Sequence, residues 1–237
     1  KKDISYKTAN AYMISIRAFL QYLLKENHEV LAPTKIDLMK DKQRLVDFLS
    51  HKELLSLFLE IDTSDVRWKR DLAIIKMIYI TWLRVSELTA LNRDDVDFDS
   101  MQFTIRWKWA KLRMIFVNEE AKKVVEDYLQ TRTDNFSPLF IRHNFDVDNI
   151  NLLDNESVRL TRFFITNMIR ERSLKAWISK KVSAHTIRHS FATTLLTAGA
   201  DLRSIQELLW HSNISTTQVY THVTNTKLKE VHSKFME

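Results

Sequence analysis

His185 and Arg188 stand three residues apart in the stretch Ala184-His185-Thr186-Ile187-Arg188-His189-Ser190-Phe191-Ala192-Thr193. On a helix that spacing puts both on one face, so an imidazole and a guanidinium could address one anion together. Arginine suits phosphate because its planar fork donates two parallel hydrogen bonds. An isolated H-x-x-R is more often an ordinary surface pair, because short motifs misfire. Three further stretches shift that balance. Thr81-Trp82-Leu83-Arg84-Val85-Ser86-Glu87-Leu88 sets an arginine between apolar residues at a helix junction. Leu208-Leu209-Trp210-His211-Ser212 places a histidine just after a helix. Ser215-Thr216-Thr217-Gln218-Val219-Tyr220-Thr221-His222-Val223 places a tyrosine nine residues beyond that histidine.

The elements that must carry these residues are mostly helical. Ser5 caps a helix through Lys25, whose apolar face recurs at Ala9, Tyr12, Met13, Ile16, Phe19, Leu20, Leu23 and Leu24. The polar stretch from Glu26 to Arg44, with Pro33, reads as a linker. Ser50 opens a capping box before the apolar run Leu54 to Leu59. Helices follow over Asp71 to Tyr79 and Val85 to Leu91. Phe103 and Ile105, then Ile115 to Val117, alternate as a small hairpin around Trp107-Lys108-Trp109-Ala110. Further helices are expected over Glu119 to Leu129, Arg159 to Arg172, Ala184 to Ala198 with Gly199 as its cap, Asp201 to Leu209, and from Ser215 toward Tyr220. Leu195, Leu196, Leu202, Ile205, Leu208 and Leu209 belong to the core by their spacing.

Bulk composition sets the frame. The chain has 237 residues, 45% hydrophobic and 28% charged, as a globular protein does. No run of about 18 apolar residues predicts a membrane span, and no secretory signal is visible at Lys1 to Ser5. The absence of cysteine excludes disulfides and thiolate metal sites and suits a cytoplasmic protein. A net charge of +6 favours an anionic partner without naming it. His185 and His189 are four apart, but no Glu follows His185 and no third ligand is evident, so a metal site is not expected.

The ordered set L-R-x-S-E-L, a hairpin lysine, H-x-x-R-H, L-x-H-S and T-T-x-x-Y resembles the catalytic domain of the tyrosine recombinases, also called the phage integrase family. The closing Tyr220-Thr221-His222-Val223 with a helix after it is most similar to Xer-type members. The resemblance implies a mainly α fold with a small antiparallel β-sheet. It makes residues 45–237 the catalytic domain and residues 1–40 the C-terminal part of a helical, SAM-like core-binding domain with its linker. It also implies roles. Arg84 and Arg188 would clamp the scissile phosphate, Lys108 would protonate the leaving 5′ oxygen, and His185 would act as general acid/base. His211 would hydrogen-bond the phosphate, Tyr220 would be the nucleophile, and Glu87 would buttress the site.

The chemistry fits those roles independently. A phosphodiester transition state gains negative charge, which two arginines and a lysine stabilise most in a water-poor site. Tyrosine ordinarily ionises near pH 10, so it needs cations and a proton acceptor nearby to attack at neutral pH. A covalent intermediate conserves the phosphodiester energy, and the scheme calls for no cofactor and no metal. Alone, Tyr220 would be a packing residue and Lys108 an ordinary hairpin-tip lysine. Lys111 and Arg113 are expected either at the DNA backbone or as solvated strand charges. The expected partner is double-stranded DNA, bound by a homo-tetramer or by a hetero-tetramer with a second recombinase, with Thr226 to Phe235 docking on a neighbouring protomer. The rival functions are a catalytically silent DNA-binding protein of the same fold and a type IB topoisomerase.

One departure from the family is systematic. The chain has one Gly and six Trp, where Gly is normally about 7% of residues. Trp82, Trp107, Trp109 and Trp210 stand where the family has glycine, in T-G-L-R, G-K-G and L-G-H, and Trp68 and Trp177 fall where glycine is frequent. A tight hairpin commonly needs positive φ, which a bulky residue resists. One cause would explain both the scarce glycine and the placed tryptophan: UGA codons that mean glycine, translated as tryptophan. The alternative is six genuine tryptophans in the core or stacked on DNA bases. The six codons decide it, since UGG at most of them would sink the recoding idea.

Overall fold

A computed structural model describes residues 4–39, 47–106, 112–143, 155–201 and 203–205. The chain divides into two compact units, Lys1–Leu45 and Val46–Glu237.

In the first unit α1 (Tyr6–Lys25) starts where Ser5 accepts from the Thr8 N–H. It ends in a Schellman cap: Asn27, at φ 61°, donates to Leu24, and His28 donates back to Leu23. The segment expected as a linker is not free of the helix. A short 3₁₀ turn, Pro33–Lys35, lets it run back along α1. There Asn10 and Met39 exchange two hydrogen bonds of 2.9 and 2.8 Å, and Arg17 donates to the Ile36 carbonyl.

The second unit is built on α3 (Val66–Thr81), where Ala73, Ile74, Ile75, Met77 and Ile78 are all fully buried. A helix buried on every side over these turns, charged Lys76 included, has to be central. It starts earlier than its apolar run suggested because Asp65 caps it by accepting from the Arg67 N–H at 2.7 Å. Packed around it are α2 (His51–Leu59), opened by the Ser50–Glu53 capping box, then α5 (Glu119–Leu129) and α7 (Ala184–Ala198). Between α3 and α5 lie the short α4 (Val85–Ala90) and an antiparallel pair, β1 (Gln102–Arg106) and β2 (Leu112–Phe116). Their register sets Phe103 opposite Ile115 and Ile105 opposite Arg113 on the inner face. Before α7 in the chain, α6 (Arg162–Lys175) begins three residues later than expected, because Thr161 caps it and Arg159 is used elsewhere. Arg159 donates to the Thr89 and Leu91 carbonyls and so pins the end of α4.

Two helix ends repeat the cap of α1. Gly199, at φ 106°, closes α7, with Gly199 and Ala200 donating to Leu196 and Leu195. Trp177, at φ 57°, closes α6, donating to Leu174 at 3.1 Å while Ile178 donates to Ser173 at 3.0 Å. The same geometry is thus held by Asn, Gly and Trp, and the third is the poor choice because Cβ crowds a left-handed backbone. The Trp177 ring is 95% exposed, so no packing compensates. Trp177→Gly is therefore expected to stabilise the protein by about 1 kcal/mol, read as a higher urea midpoint. A lower midpoint would mean the ring is packed in solution.

Partly buried His143 meets the Tyr128 hydroxyl at 3.1 Å. Burial, helped by the charges of Arg70 and Arg132, pushes its imidazole down to about 4. Because the folded value lies below the unfolded one near 6.5, its contribution is fully present above that pH. It is lost as pH falls toward 4, since the unfolded chain then binds the extra proton. After discounting for solvent screening the loss amounts to about 1–2 kcal/mol. His143→Gln is expected to flatten the fall of the urea midpoint between pH 6.5 and 4 relative to the parent; identical slopes would clear His143 of the effect.

No helix among the described residues is long and apolar enough to cross a membrane.

Candidate active site

Arg84 is placed by a sharp turn between two helices. α3 ends at Trp82, whose backbone is left-handed (φ 53°, ψ 24°), and Arg84 then caps α4 in an extended conformation. Glu87 holds it twice: one carboxylate oxygen accepts from the Arg84 N–H and the other from its guanidinium, both at 2.7 Å. The Arg84 side chain remains 35% exposed, so an anion can reach it.

Arg188 comes from the first half of α7, whose start is set by the Ser183–Thr186 capping box. Ser190 fixes the helix from beneath, accepting from the Leu49 N–H at 2.7 Å. Arg188 is 5% exposed and donates to the Trp82 carbonyl, tying α7 to the α3–α4 turn. One turn earlier His185 faces solvent. Its imidazole is held below the usual histidine range first by desolvation and then by the positive charges of Arg188 and Arg84. That shift favours the neutral ring, the form that can accept a proton. Arg84, His185 and Arg188 are thus brought together from two distant parts of the chain into one electropositive cluster.

Trp82 sits inside that arrangement. Its ring packs on Phe191, Ala192, Leu196 and Ile205, at 5.0 Å from the Phe191 ring centre. Its indole nitrogen is buried with no hydrogen-bond partner among the described residues. Of the three described tryptophans, Trp82 and Trp177 thus occupy backbone suited to glycine. Trp68 does not: it lies on helical backbone in α3, with Arg172 stacked 4.4 Å over its ring.

Lys108, Lys111, His211 and Tyr220 lie outside the described residues, as do Trp107, Trp109, Trp210, Leu202, Leu208, Leu209 and the segment 226–235. Arg113 departs from both expectations held for it. It is neither a solvated strand charge nor open to a DNA backbone, but 1% exposed, with its guanidinium 3.6 Å from Glu87. The signal was in the alternation: Arg113 shares strand phase with Ile115 and Val117, and β2 is buried at every second position. Glu87 therefore serves two arginines. Among the described residues no group of three potential metal-ligating side chains is gathered.

Comparison with known proteins shows the family. Residues 47–227 match the sequence pattern of the phage integrase family. The chain is 34% identical over 232 residues to the tyrosine recombinase XerD of Staphylococcus saprophyticus, covering 98% of this chain and 77% of that protein. It is 35% identical over 238 residues to XerD of Listeria innocua, covering 99% and 78%. Among solved structures, the XerA recombinase superposes with a TM-score of 0.66 at 30% identity, over 94% of this chain and 74% of that one. The XerH site-specific recombinase bound to palindromic difH substrate superposes with a TM-score of 0.75, over 99% and 69%, and at 23% identity bears on the fold alone.

Proposed function

The chain belongs to the phage integrase family as a Xer-like tyrosine recombinase, and from that membership we propose that it cuts and rejoins DNA at specific sites through a 3′-phosphotyrosyl intermediate formed by Tyr220. The observation that carries the proposal is the cluster of the partly exposed Arg84, the exposed His185 and the buried Arg188, with Arg188 tied to the α3–α4 turn.

In the proposed step Arg84 and Arg188 donate to the non-bridging oxygens of the scissile phosphate and stabilise the charge that grows there. His185 takes the proton of the Tyr220 hydroxyl as that oxygen attacks phosphorus. The bond from phosphorus to the 5′ oxygen breaks as the new one forms, and Lys108 delivers a proton to the departing oxygen. His211 hydrogen-bonds the phosphate. A 5′-hydroxyl from a partner strand then reverses the step, which exchanges strands through a Holliday junction. The working assembly is a homo-tetramer, or a hetero-tetramer with a second recombinase, on two duplexes in the cytoplasm. Residues 1–40 contribute part of the core-binding domain, and 226–235 dock on a neighbouring protomer. The exposed apolar outer face of β2, at Leu112, Met114 and Phe116, supports association.

A duplex nicked next to the cut site tests this, because the released fragment diffuses away and traps the intermediate. The expected product is a covalent protein–DNA adduct on the peptide carrying Tyr220. It is sought with the chain as sequenced and with a version in which all six tryptophans are replaced by glycine. No adduct from either, with DNA still bound, would make the protein a silent binder. Relaxation of supercoils without exchange of partners would make it a topoisomerase.

A further inference from the structure

Glu87 sits between two guanidiniums, and only one of them reaches solvent. Its carboxylate accepts from both the backbone and the side chain of Arg84. From the opposite side, on β2, Arg113 approaches the same carboxylate at 3.6 Å. Arg113 is 1% exposed, and its Nε and the Nη1 facing Glu87 have no hydrogen-bond partner among the described residues. Burying a guanidinium with so little compensation is costly, which a packing residue on an inner strand face would avoid. Opposite it in the register stands an ordinary Ile105.

We propose that Arg113 is a positioning residue for strand cleavage, acting through Glu87 to hold Arg84 in place and to keep Arg84's charge available to the scissile phosphate. The proposal rests on the recombinase function above. A carboxylate paired with Arg84 alone would cancel the charge that Arg84 offers an anion. Shared with a second, buried guanidinium, the same carboxylate leaves the trio with one net positive charge, and the exposed member is Arg84. Burial pulls Arg113 below the usual arginine range, the charge of Glu87 draws it back up, and Arg84 opposes that. The link also has a mechanical side. β2 starts at Leu112, four residues after Lys108, so Arg113 ties the strand that follows the hairpin lysine to the turn that carries Arg84.

The test compares cleavage of two nicked duplexes, one ordinary and one with a methylphosphonate at the scissile position. The methylphosphonate replaces a charged non-bridging oxygen with a neutral methyl group, so in one of its two isomers Arg84 has no charge left to neutralise. Arg113→Met is expected to slow cleavage of the ordinary duplex about 10- to 100-fold with DNA affinity unchanged, yet to slow the methylphosphonate isomer whose methyl replaces the oxygen facing Arg84 by less than about threefold. Arg113→Lys, which keeps charge but not the fork, should fall between parent and Arg113→Met. Equal losses on all substrates would reduce Arg113 to a fold anchor and overturn the proposal, as would no loss, or a lysine variant no faster than the methionine one. An activity-free arm covers a parent that makes no adduct, which would count against the recombinase function and not against the pairing. Urea midpoints of Arg113→Met, Glu87→Gln and the double variant should be non-additive; strict additivity would overturn the proposal whatever the enzyme does.

Discussion

Arg188→Ala is expected to slow single-turnover cleavage of a nicked duplex about 10²- to 10³-fold, or roughly 3–4 kcal/mol of transition-state stabilisation. Arg188 is 5% exposed and held against the Trp82 carbonyl, so its guanidinium is already oriented before DNA arrives and needs no reorganisation during the step. A preorganised cation in a water-poor site acts mainly on the charge that develops in the transition state. DNA affinity should change little, because one phosphate is a small part of a long electrostatic footprint. Losing the guanidinium also leaves the Trp82 carbonyl unpaired, at a cost to folding of about 1–3 kcal/mol. Rate and urea midpoint must therefore be measured on the same preparation. Arg188→Lys should recover the fold but only part of the rate, since an ammonium cannot donate in parallel. A rate within threefold of the parent for Arg188→Ala, under conditions where both are folded, would remove Arg188 from the mechanism.

The largest effect on stability is expected away from the site, at Asp71. This carboxylate is 3% exposed and lies between two buried arginines. One oxygen accepts from Arg70 at 3.1 and 2.8 Å, the other from Arg172 at 3.2 and 2.8 Å. Arg70 also stacks over the Phe164 ring, and Arg172 over Trp68. Asp71→Ala would leave two guanidiniums buried without their shared anion, costing about 3–5 kcal/mol. That is a large share of the roughly 5–15 kcal/mol that holds a domain together. Replacing all three members by apolar residues of similar volume should cost much less, because it removes the desolvation problem along with the pair. A fall in the urea midpoint as large for the triple replacement as for Asp71→Ala would show that the geometry, not the charge, is what matters there.

Many of the helix boundaries are written in the sequence itself. Ser5 and Ser50 mark helix starts because a short side-chain oxygen can satisfy orphan N–H groups locally, and Gly199 marks an end because it tolerates a left-handed backbone. The ends of α5 and α7 follow from such local chemistry. The starts of α3 and α6 did not, since the capping of the Arg67 N–H by Asp65 and of the Phe164 N–H by Thr161 shows only once the backbone is placed. Of the site, the types and order of Arg84, His185 and Arg188 were readable, because each motif is short and contiguous.

The sequence by itself determined which residues could do phosphoryl chemistry and which segments would be helices, because both depend on neighbours within a turn or two. Tertiary structure alone decided what those residues face. Trp82 and Arg188 meet across 106 positions, Arg113 turns inward onto Glu87 instead of outward to DNA, and Asp71 is shared between Arg70 and Arg172. Such contacts depend on which buried faces close on one another, and no local pattern encodes a charge's partner on the far side of a core.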